Sequence, residues 1–280
     1  MMGVQMETRR MCPQCRAFIT TKDKVCPYCN EEVTPRAVDR RDEGGTFLGG
    51  LIPQARFLTM IILVINFGLY IATAIYSMRG GEGGAMNIDG RTLFDFGAKY
   101  PPAIAAGQWW RLVTAGFLHG GLIHILMNSW SFLTLGALAE EAFGASRMLV
   151  IYFCSTVFGF YLSYLGSPAL SIGASAAIFG LIGAMIAISI KEPLRYGHMK
   201  RTFIGWAMFG VVYLFLNLRI DNYAHFGGLV AGFATAYLAG TPRAEGSFTE
   251  RLWQFSSWAC IVITAVSFLK MYLWFSQSTQ

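Results

Sequence analysis

Long apolar runs separated by short polar stretches are the main pattern of this sequence. Seven uncharged runs have about 16 to 22 residues each, close to the roughly 20 that a helix needs to cross a bilayer. The seven runs are Phe57–Met78, Leu122–Ala139, Met148–Leu165, Ala174–Ile190, Phe203–Leu218, Tyr223–Ala239 and Leu252–Leu269. They predict an all-α polytopic membrane protein in which seven helices form one bundle.

The composition supports this prediction and excludes an ordinary soluble enzyme. Hydrophobic residues make up 54% of the 280 residues and charged residues 14%, against about 25% charged in a typical soluble domain. The connectors after the second run are short and leave no room for another folded domain. The first 50 residues lack an apolar core of signal-peptide length, so no cleavable signal peptide is expected.

The positions of the basic residues predict the orientation, because Lys and Arg are retained in short cytoplasmic loops. With the N-terminus inside, sixteen of the 22 basic residues lie on the cytoplasmic side and six outside. The N-terminus is therefore predicted to be cytoplasmic and the C-terminus outside. This asymmetry accounts for most of the net charge of +6, and no nucleic-acid partner is expected.

Four cysteines in the polar N-terminal segment form a metal-binding pattern. Cys12, Cys15, Cys26 and Cys29 have the spacing C-x2-C-x10-C-x2-C, and both pairs are Cys-Pro-x-Cys turns. Two such turns supply four thiolates to a tetrahedral zinc ion, and with no open position the ion is structural. Iron suits the same ligands, and two disulfides or four free thiols are further alternatives, although a reducing cytoplasm disfavours disulfides.

Composition shifts divide the chain into four parts. We expect a cytoplasmic four-cysteine zinc-binding module at 1–35 and a flexible, glycine-rich linker at 36–56. A six-helix membrane core, whose catalytic role depends on the motifs described below, is expected at 57–240. A cytoplasmic loop and the seventh transmembrane helix would complete the chain at 241–280.

Polar residues inside apolar runs are costly in hydrocarbon and indicate function. His124 and Asn128 are four residues apart, so they share one helix face, and His225 lies in the sixth run. Ser175 begins the fourth run, where unpaired backbone N–H groups suit an oxyanion. The alternatives are cross-helix hydrogen bonds for the histidines and amide, and simple helix capping for the serine.

Small residues predict that the fourth and sixth helices touch. Gly228 and Gly232 share a stripe with His225, and Ala176, Gly180 and Ala184 form a matching stripe after Ser175. Close backbone approach would bring His225 to Ser175 and activate it as a nucleophile. Phe179, one turn after Ser175, faces the same way and could hold the imidazole, with ordinary core packing or a lipid-facing position as the alternative. Asp221 is expected to cap the sixth helix. The alternative is that Asp221 is the acidic third member of a catalytic triad with Ser175 and His225.

Four motifs, in order, resemble those of the rhomboid intramembrane serine proteases, over roughly Phe57 to Gly240. They are Trp110-Arg111, His119-x4-His124-x3-Asn128, Gly173-x-Ser175 and Ala224-His225-Phe226-Gly227-Gly228-x3-Gly232. The resemblance implies a rhomboid-like six-helix bundle with a seventh helix added. Position 176 is Ala where the family usually has Gly, which adds a methyl group where two helices approach.

The resemblance also implies roles for these residues. Ser175 would be the nucleophile and His225 its base, in a dyad without an acidic member, and His124 and Asn128 would help bind the oxyanion. Trp110 and Arg111 would shape a long outer loop. The substrates would be single-span membrane proteins cut in the bilayer of a bacterial plasma membrane, without a catalytic cofactor. The partner of the zinc module is not indicated.

Two rival functions belong to other classes. A catalytically inactive rhomboid-like protein would bind transmembrane helices without cutting them, but the presence of both Ser175 and His225 argues against it. A transporter or channel would need paired intramembrane charges, whereas the acidic residues lie at the ends of the runs.

Overall fold

The computed structural model describes residues 9–33 except 13 and 21, and residues 57–80, 83–216, 221–242 and 247–278. The predicted linker at 36–56 and the end of the fifth apolar run lie outside these residues. Two short strands and ten α-helices are described. They are β1 Arg9–Met11, β2 Phe18–Thr20, α1 Phe57–Gly80, α2 Gly90–Asp95, α3 Pro101–Ala105, α4 Arg111–Thr114, α5 Leu122–Gly166, α6 Ser175–Lys191, α7 Pro193–Tyr196, α8 Lys200–Leu216, α9 Asn222–Ala239 and α10 Phe248–Ser278.

The second and third apolar runs form one continuous assignment, α5, which folds back on itself. Gly144 interrupts its helical geometry with φ 74° and ψ 163°, a conformation that glycine adopts without steric cost. The rings of Phe132 and Tyr152, twenty residues apart, lie 5.3 Å apart. A straight helix would separate them by about 30 Å, so α5 consists of two antiparallel halves.

Length and hydropathy alone qualify fewer helices as membrane spans than the seven apolar runs predict. Among the described residues, three pass: Phe57–Gly80, Leu122–Gly166 and Phe248–Gln277. A fourth is added if the bent pair Ser175–Lys191 and Pro193–Gly210, which turns by 117°, is one span. The difference arises because α5 contains two predicted runs and because α6 and α8 have only 17 residues each. Helix α9 has 18 residues but is not apolar enough to qualify. Every predicted run nevertheless falls on a helix.

Helix α6 lies at the centre of the bundle. Most of its side chains are buried, including Leu181, Ala184 and Ile188 with no exposed surface. It packs against α5, α8 and α9, and its apolar residues belong to the main core together with residues of both halves of α5. A helix that is apolar on all faces is expected inside a bundle. Because Ser175 is the first residue of α6, the packing of this central helix determines where Ser175 lies.

A buried carboxylate anchors the start of α1. Glu140 accepts hydrogen bonds from the backbone N–H of Leu58 at 3.0 Å and of Thr59 at 2.9 Å, and from the Thr59 hydroxyl at 2.7 Å. These bonds satisfy N–H groups that a helix N-terminus leaves unpaired. Glu140 thereby ties α1 to the far end of the first half of α5.

Between α1 and α5, residues 83–121 form an outer segment of short helices. Arg111 is fully buried there and donates from Nη1 to the carbonyl oxygens of Phe94 at 2.6 Å and Ala98 at 3.0 Å, and from Nε to Gln108 Oε1 at 2.6 Å. The planar guanidinium suits several acceptors at once. Arg111 thus links three positions of the outer segment, Phe94, Ala98 and Gln108, through its hydrogen bonds.

The N-terminal module is a small two-stranded unit. Strands β1 and β2 pair antiparallel, with Arg10 opposite Ile19. The buried cluster consists of Cys12, Ile19, Cys26 and Val33. A core of four residues, two of them cysteines, is too small to hold a fold by itself, and domains of this size need a metal or another cross-link.

Candidate active site and metal centre

Ser175 is the first residue of α6 and is half-buried. Ala174 precedes the helix without a side-chain cap, and Gly173 has φ +122°, in the region that favours glycine. The Ser175 hydroxyl does not cap its helix. It lies 2.6 Å from Nε2 of His225, so the capping alternative for Ser175 does not describe this structure.

The His225 imidazole is held in a fixed orientation by its surroundings. The side chain is buried, and its ring stacks on Phe179 with centroids 4.5 Å apart and an interplanar angle of 16°. Phe179 therefore has the packing contact expected from its position one turn after Ser175. The stack holds Nε2 toward the Ser175 hydroxyl, the geometry that a general base requires.

Glycines account for the close approach of the two helices. A Cβ atom on Gly228 would overlap the carbonyl oxygen of Ala176, and one on Gly232 would overlap that of Gly180. The predicted stripes on α6 and α9 therefore face each other, and α9 packs directly on the α6 backbone. Contact at this distance is possible only where the interface lacks side chains.

The alanine at position 176 is accommodated by a third helix. Its side chain is buried, and a Cβ atom built on Gly159 in α5 would come within 3.0 Å of the Ala176 Cβ. The methyl group thus occupies space that Gly159 leaves open, while the Ala176 carbonyl faces Gly228. The substitution therefore does not fill the contact between α6 and α9.

Asp221 caps α9, as the sequence predicts. Its carboxylate accepts from the backbone N–H of Ala224 at 3.0 Å and from the hydroxyl of Ser163. Within the described residues, Nδ1 of His225 has no hydrogen-bond partner. The structure therefore gives no carboxylate contact to the imidazole, and the triad alternative has no geometric support.

His124 lies beside the nucleophile, whereas the hydrogen bond that Asn128 makes within the described residues is to His124 and not to Ser175. A Cβ atom on Gly173 would be 2.9 Å from Nε2 of His124 and 3.5 Å from Oγ of Ser175, so both atoms border the same space. The Asn128 amide donates to the carbonyl of His124 at 3.2 Å. The structure brings Ser175, His225 and His124 together, and an oxyanion role for Asn128 stays a prediction.

His119 supports His124 from the outer segment. Its ring is buried and meets the His124 ring edge to face at a centroid distance of 5.2 Å. Burial lowers the pKa of His119 to about 3, so the ring is neutral near pH 7 and packs without adding charge. Sequence reasoning placed His119 in the entering loop, and its packing role follows from the structure.

The Arg111 guanidinium is enclosed by aromatic rings. It lies 4.1 Å from the ring centroid of Phe94, 4.6 Å from that of Trp110 and 5.0 Å from that of Trp274. Cation–π attraction adds to the hydrogen bonds of the same group. Trp274 belongs to α10 but follows the seventh predicted run, Leu252–Leu269, and no sequence pattern identifies its contact with Arg111.

The four cysteines of the N-terminal module converge. Their Sγ atoms all lie within 4.8 Å of one another, and the separations Cys12–Cys29 and Cys15–Cys26 are 3.6 Å. A tetrahedral zinc ion with bonds of about 2.3 Å places its sulfur ligands about 3.8 Å apart. The four thiols therefore fit a single metal ion, and no disulfide links them.

The two Cys-Pro-x-Cys turns are each followed by a residue with the same hydrogen bond and backbone conformation. Arg16 donates to the Cys12 carbonyl at 3.0 Å and Asn30 to the Cys26 carbonyl at 2.9 Å, and both donors have φ near +57° (59° and 55°). A hydrogen bond from the Cys15 backbone lowers the pKa of Cys12 to about 7. The pKa of Cys29 is raised to about 12, because a backbone hydrogen bond from Glu31 is outweighed by burial and the neighbouring thiols. Cys12 is therefore a thiolate more readily than Cys29.

The remaining cysteines lie apart from this module. Cys154 is half-buried in α5 and Cys260 is buried in α10, and neither is in a disulfide. They fit the expectation of small side chains in the bundle.

Comparison with known proteins identifies the family. The family model described as "Rhomboid domain" matches residues 106–242. Rhomboid protease GluP of Bacillus subtilis (strain 168) is 32% identical over 259 residues, covering 84% of this chain and 49% of the relative. Rhomboid-like protease 1 of Toxoplasma gondii is 31% identical over 233 residues, covering 77% of this chain and 78% of the relative.

A plant relative extends the same match. RHOMBOID-like protein 5 of Arabidopsis thaliana is 30% identical over 213 residues, covering 67% of this chain and 69% of the relative. The chain spans about half (49%) of the length of the Bacillus subtilis relative.

Proposed function

Since the chain belongs to the rhomboid family, we propose that it is an intramembrane serine endopeptidase that uses a Ser175–His225 dyad. The observation that carries this proposal is the 2.6 Å contact between Ser175 Oγ and His225 Nε2. Two relatives that are named as proteases support the protease activity in this proposal. The same contact argues against the rival of an inactive helix-binding protein.

The chemistry assigns each atom of the dyad a role. Nε2 of His225 accepts the Ser175 proton as Oγ attacks the scissile carbonyl, and later donates it to the leaving amine. A neutral ring that accepts at Nε2 must carry its proton on Nδ1, the atom that has no partner within the described residues. Packing on Phe179, at 4.5 Å, fixes the ring while this proton moves.

Stabilisation of the developing oxyanion falls to groups around Gly173. The side chain of His124 borders the same space as Ser175 Oγ, next to Gly173. The backbone N–H of Ser175, at the start of α6, is the second donor in this proposal. Asn128 lies one turn after His124 on the same face and is the further donor in this proposal. One such donor contributes about 10²- to 10³-fold to turnover.

The proposed substrates are single-span membrane proteins cut inside the bilayer. A transmembrane helix shields its own peptide bonds by hydrogen bonding, so a substrate must unwind locally before Ser175 reaches a carbonyl. The proposed orientation has the N-terminus in the cytoplasm and the C-terminus outside, following the sixteen basic residues of the cytoplasmic segments. Ser175 then lies near the outer surface.

The test is cleavage of a single-span test substrate by the purified full chain and by Ser175→Ala in the same liposomes. The proposal predicts cleavage by the wild type and none by the variant, because the attacking oxygen is gone. A wild type that binds the substrate without cutting it supports the inactive rival. Equal cleavage by both proteins removes Ser175 as nucleophile.

We further propose that the four-cysteine module holds one structural zinc ion. The convergence of Cys12, Cys15, Cys26 and Cys29 supports this, and a site filled by four thiolates leaves no position for a reacting water. Metal analysis of the reduced full chain should find one zinc per molecule, and Cys12→Ser should lose it. Iron in the same stoichiometry, or no metal in folded protein, would contradict the assignment.

A further inference from the structure

The loop that carries the nucleophile has little structure of its own. Eight residues, 167–174, connect α5 to Ser175, and their only regular feature is an isolated antiparallel bridge between Ser171 and Lys99. A displacement of the reacting atoms by about 1 Å can cost a factor of 10² in rate. Whatever fixes this loop therefore affects the reaction.

Lys99, from the outer segment, holds the loop with both its side chain and its backbone. Its Nζ donates to the carbonyl oxygens of Ser167 at 2.7 Å and Ala169 at 3.0 Å. Its backbone N–H and C=O each pair with Ser171 at 3.0 Å. One residue thus fixes three positions of an eight-residue loop.

Every second residue of the loop is held by a hydrogen bond at its backbone. Hydrogen bonds fix positions 167, 169 and 171 through Lys99, and the N–H of Gly173 donates to the carbonyl of Ala115 at 2.9 Å. A period of two is the geometry of an extended strand with one edge against its neighbour. The last fixed position, Gly173, is two residues before Ser175 and borders the space shared by His124 and Ser175.

The position of Lys99 is itself well determined. The side chain has no exposed surface, and Arg111 holds the preceding carbonyl, that of Ala98, at 3.0 Å. Burial lowers the pKa of Lys99, and the charge of Asp221 opposes this change. Burying an ammonium group is costly unless it is paired, so its two carbonyl contacts are part of what keeps it in place.

We propose, resting on the proposed function, that Lys99 is a positioning residue for catalysis. Its ammonium group fixes the loop at Ser167 and Ala169, and the strand-like run from there sets Gly173 and Ser175 relative to His225. Lys99 touches no reacting atom. Its loss should slow the reaction of Ser175 in protein that is still folded.

The experiment measures the rate of fluorophosphonate labelling of the full chain in detergent, per folded molecule, together with the melting temperature. Lys99→Met removes the ammonium group and keeps the length of the side chain. Glu140→Gln is the matched control, because it weakens another buried charged group with backbone contacts, at the far end of the bundle. Ser175→Ala should show no labelling, which establishes that the probe reports on Ser175.

Lys99→Met should label about tenfold more slowly or worse, and Lys99→Arg, which keeps charge and donors, should recover much of the rate. Glu140→Gln should melt at a lower temperature and label at the wild-type rate. Wild-type labelling by Lys99→Met overturns the proposal. If Lys99→Met does not fold, Lys99→Gln replaces it, and failure of both to fold makes Lys99 a folding residue and overturns it too. Absence of labelling in the wild type would instead count against the proposed function.

Discussion

Helices α9 and α10 dock on the same bundle in opposite ways. Helix α9 meets α6 through Gly228 and Gly232, at which any Cβ atom would overlap an α6 carbonyl oxygen. Helix α10 is held by side chains: Arg147 forms a bidentate pair with Glu250 at 2.5 and 2.7 Å, and Trp274 lies over Arg111. In the most apolar stretch of α10, only 11% of the residues are buried inside the structure.

These two kinds of contact should control different properties: the backbone contact of α9 the catalytic geometry, and the side-chain contacts of α10 the stability of the fold. A backbone contact has no side chain that can yield, so an added methyl group must move one helix and with it Ser175 or His225. A side-chain contact can be removed while the backbone stays in place. Substitutions between α6 and α9 should therefore act first on activity, and substitutions between α10 and the core first on stability.

Among substitutions at the helix interfaces, the largest effect on activity is expected for Gly232→Ala. The new Cβ atom would overlap the carbonyl oxygen of Gly180 and push α9 away, which lengthens the contact between Ser175 and His225. We expect activity to fall by about 10²-fold, as for an angstrom-scale misplacement, in a cleavage assay with the single-span substrate.

Gly205→Ala is the control for this change. Gly205 lies in α8, and a Cβ atom there meets nothing within 4 Å. Both substitutions improve helix propensity by the same amount, about 1 kcal/mol, so only the interface differs. Equal activity of the two variants would contradict the backbone-contact account.

A smaller and different effect is expected for Arg147→Met. Glu250 would lose its bidentate contact with Arg147, and breaking a largely buried pair of this kind costs about 3 kcal/mol. Arg147 is 2% exposed, while Glu250 is partly open to solvent at 15%, so the cost should fall at or below this value. Unfolding should be easier, and the activity of the folded fraction should stay near that of the wild type.

The double variant Arg147→Met/Glu250→Met sharpens this test. Removing both partners leaves no unpaired charge and should recover part of the lost stability. If the single or the double variant lost activity at unchanged stability, α10 would also determine the catalytic geometry. The proposed difference between α9 and α10 would then be wrong.

The smallest effect is expected for Ala176→Gly. The methyl group contacts Gly159 rather than filling the interface with α9, so its removal should leave activity within about twofold. Stability should decrease by about 1 kcal/mol from the propensity of glycine in a helix. A large gain in turnover would show that the methyl group holds α6 and α9 apart.

Much of the fold follows from the sequence because its signals are local. Uncharged runs of helical length predicted the helices, and the small-residue stripes predicted which faces of α6 and α9 meet at Gly228 and Gly232. The cysteine spacing predicted the four-thiol cluster. Each of these signals depends on residue type at short, regular intervals.

The contacts missed by sequence reasoning are long-range and individual. The pair of Arg147 and Glu250 spans 103 positions, and Lys99 reaches Ser167 across 68. A charged residue at the end of a run looks the same in the sequence whether it faces water or a buried carbonyl. Only the assembled bundle distinguishes the two, so the charge pattern alone predicts for Lys99 nothing more than a place among the six outer basic residues.

The most direct test of the central claim is fluorophosphonate labelling followed by peptide mass spectrometry, on the wild type and on His225→Ala. The account predicts that the label is found on Ser175, and that His225→Ala slows labelling by at least about 10³-fold because the base is lost. Labelling of another residue, or an unchanged rate in His225→Ala, would contradict the claim that the contact between α6 and α9 creates the nucleophile.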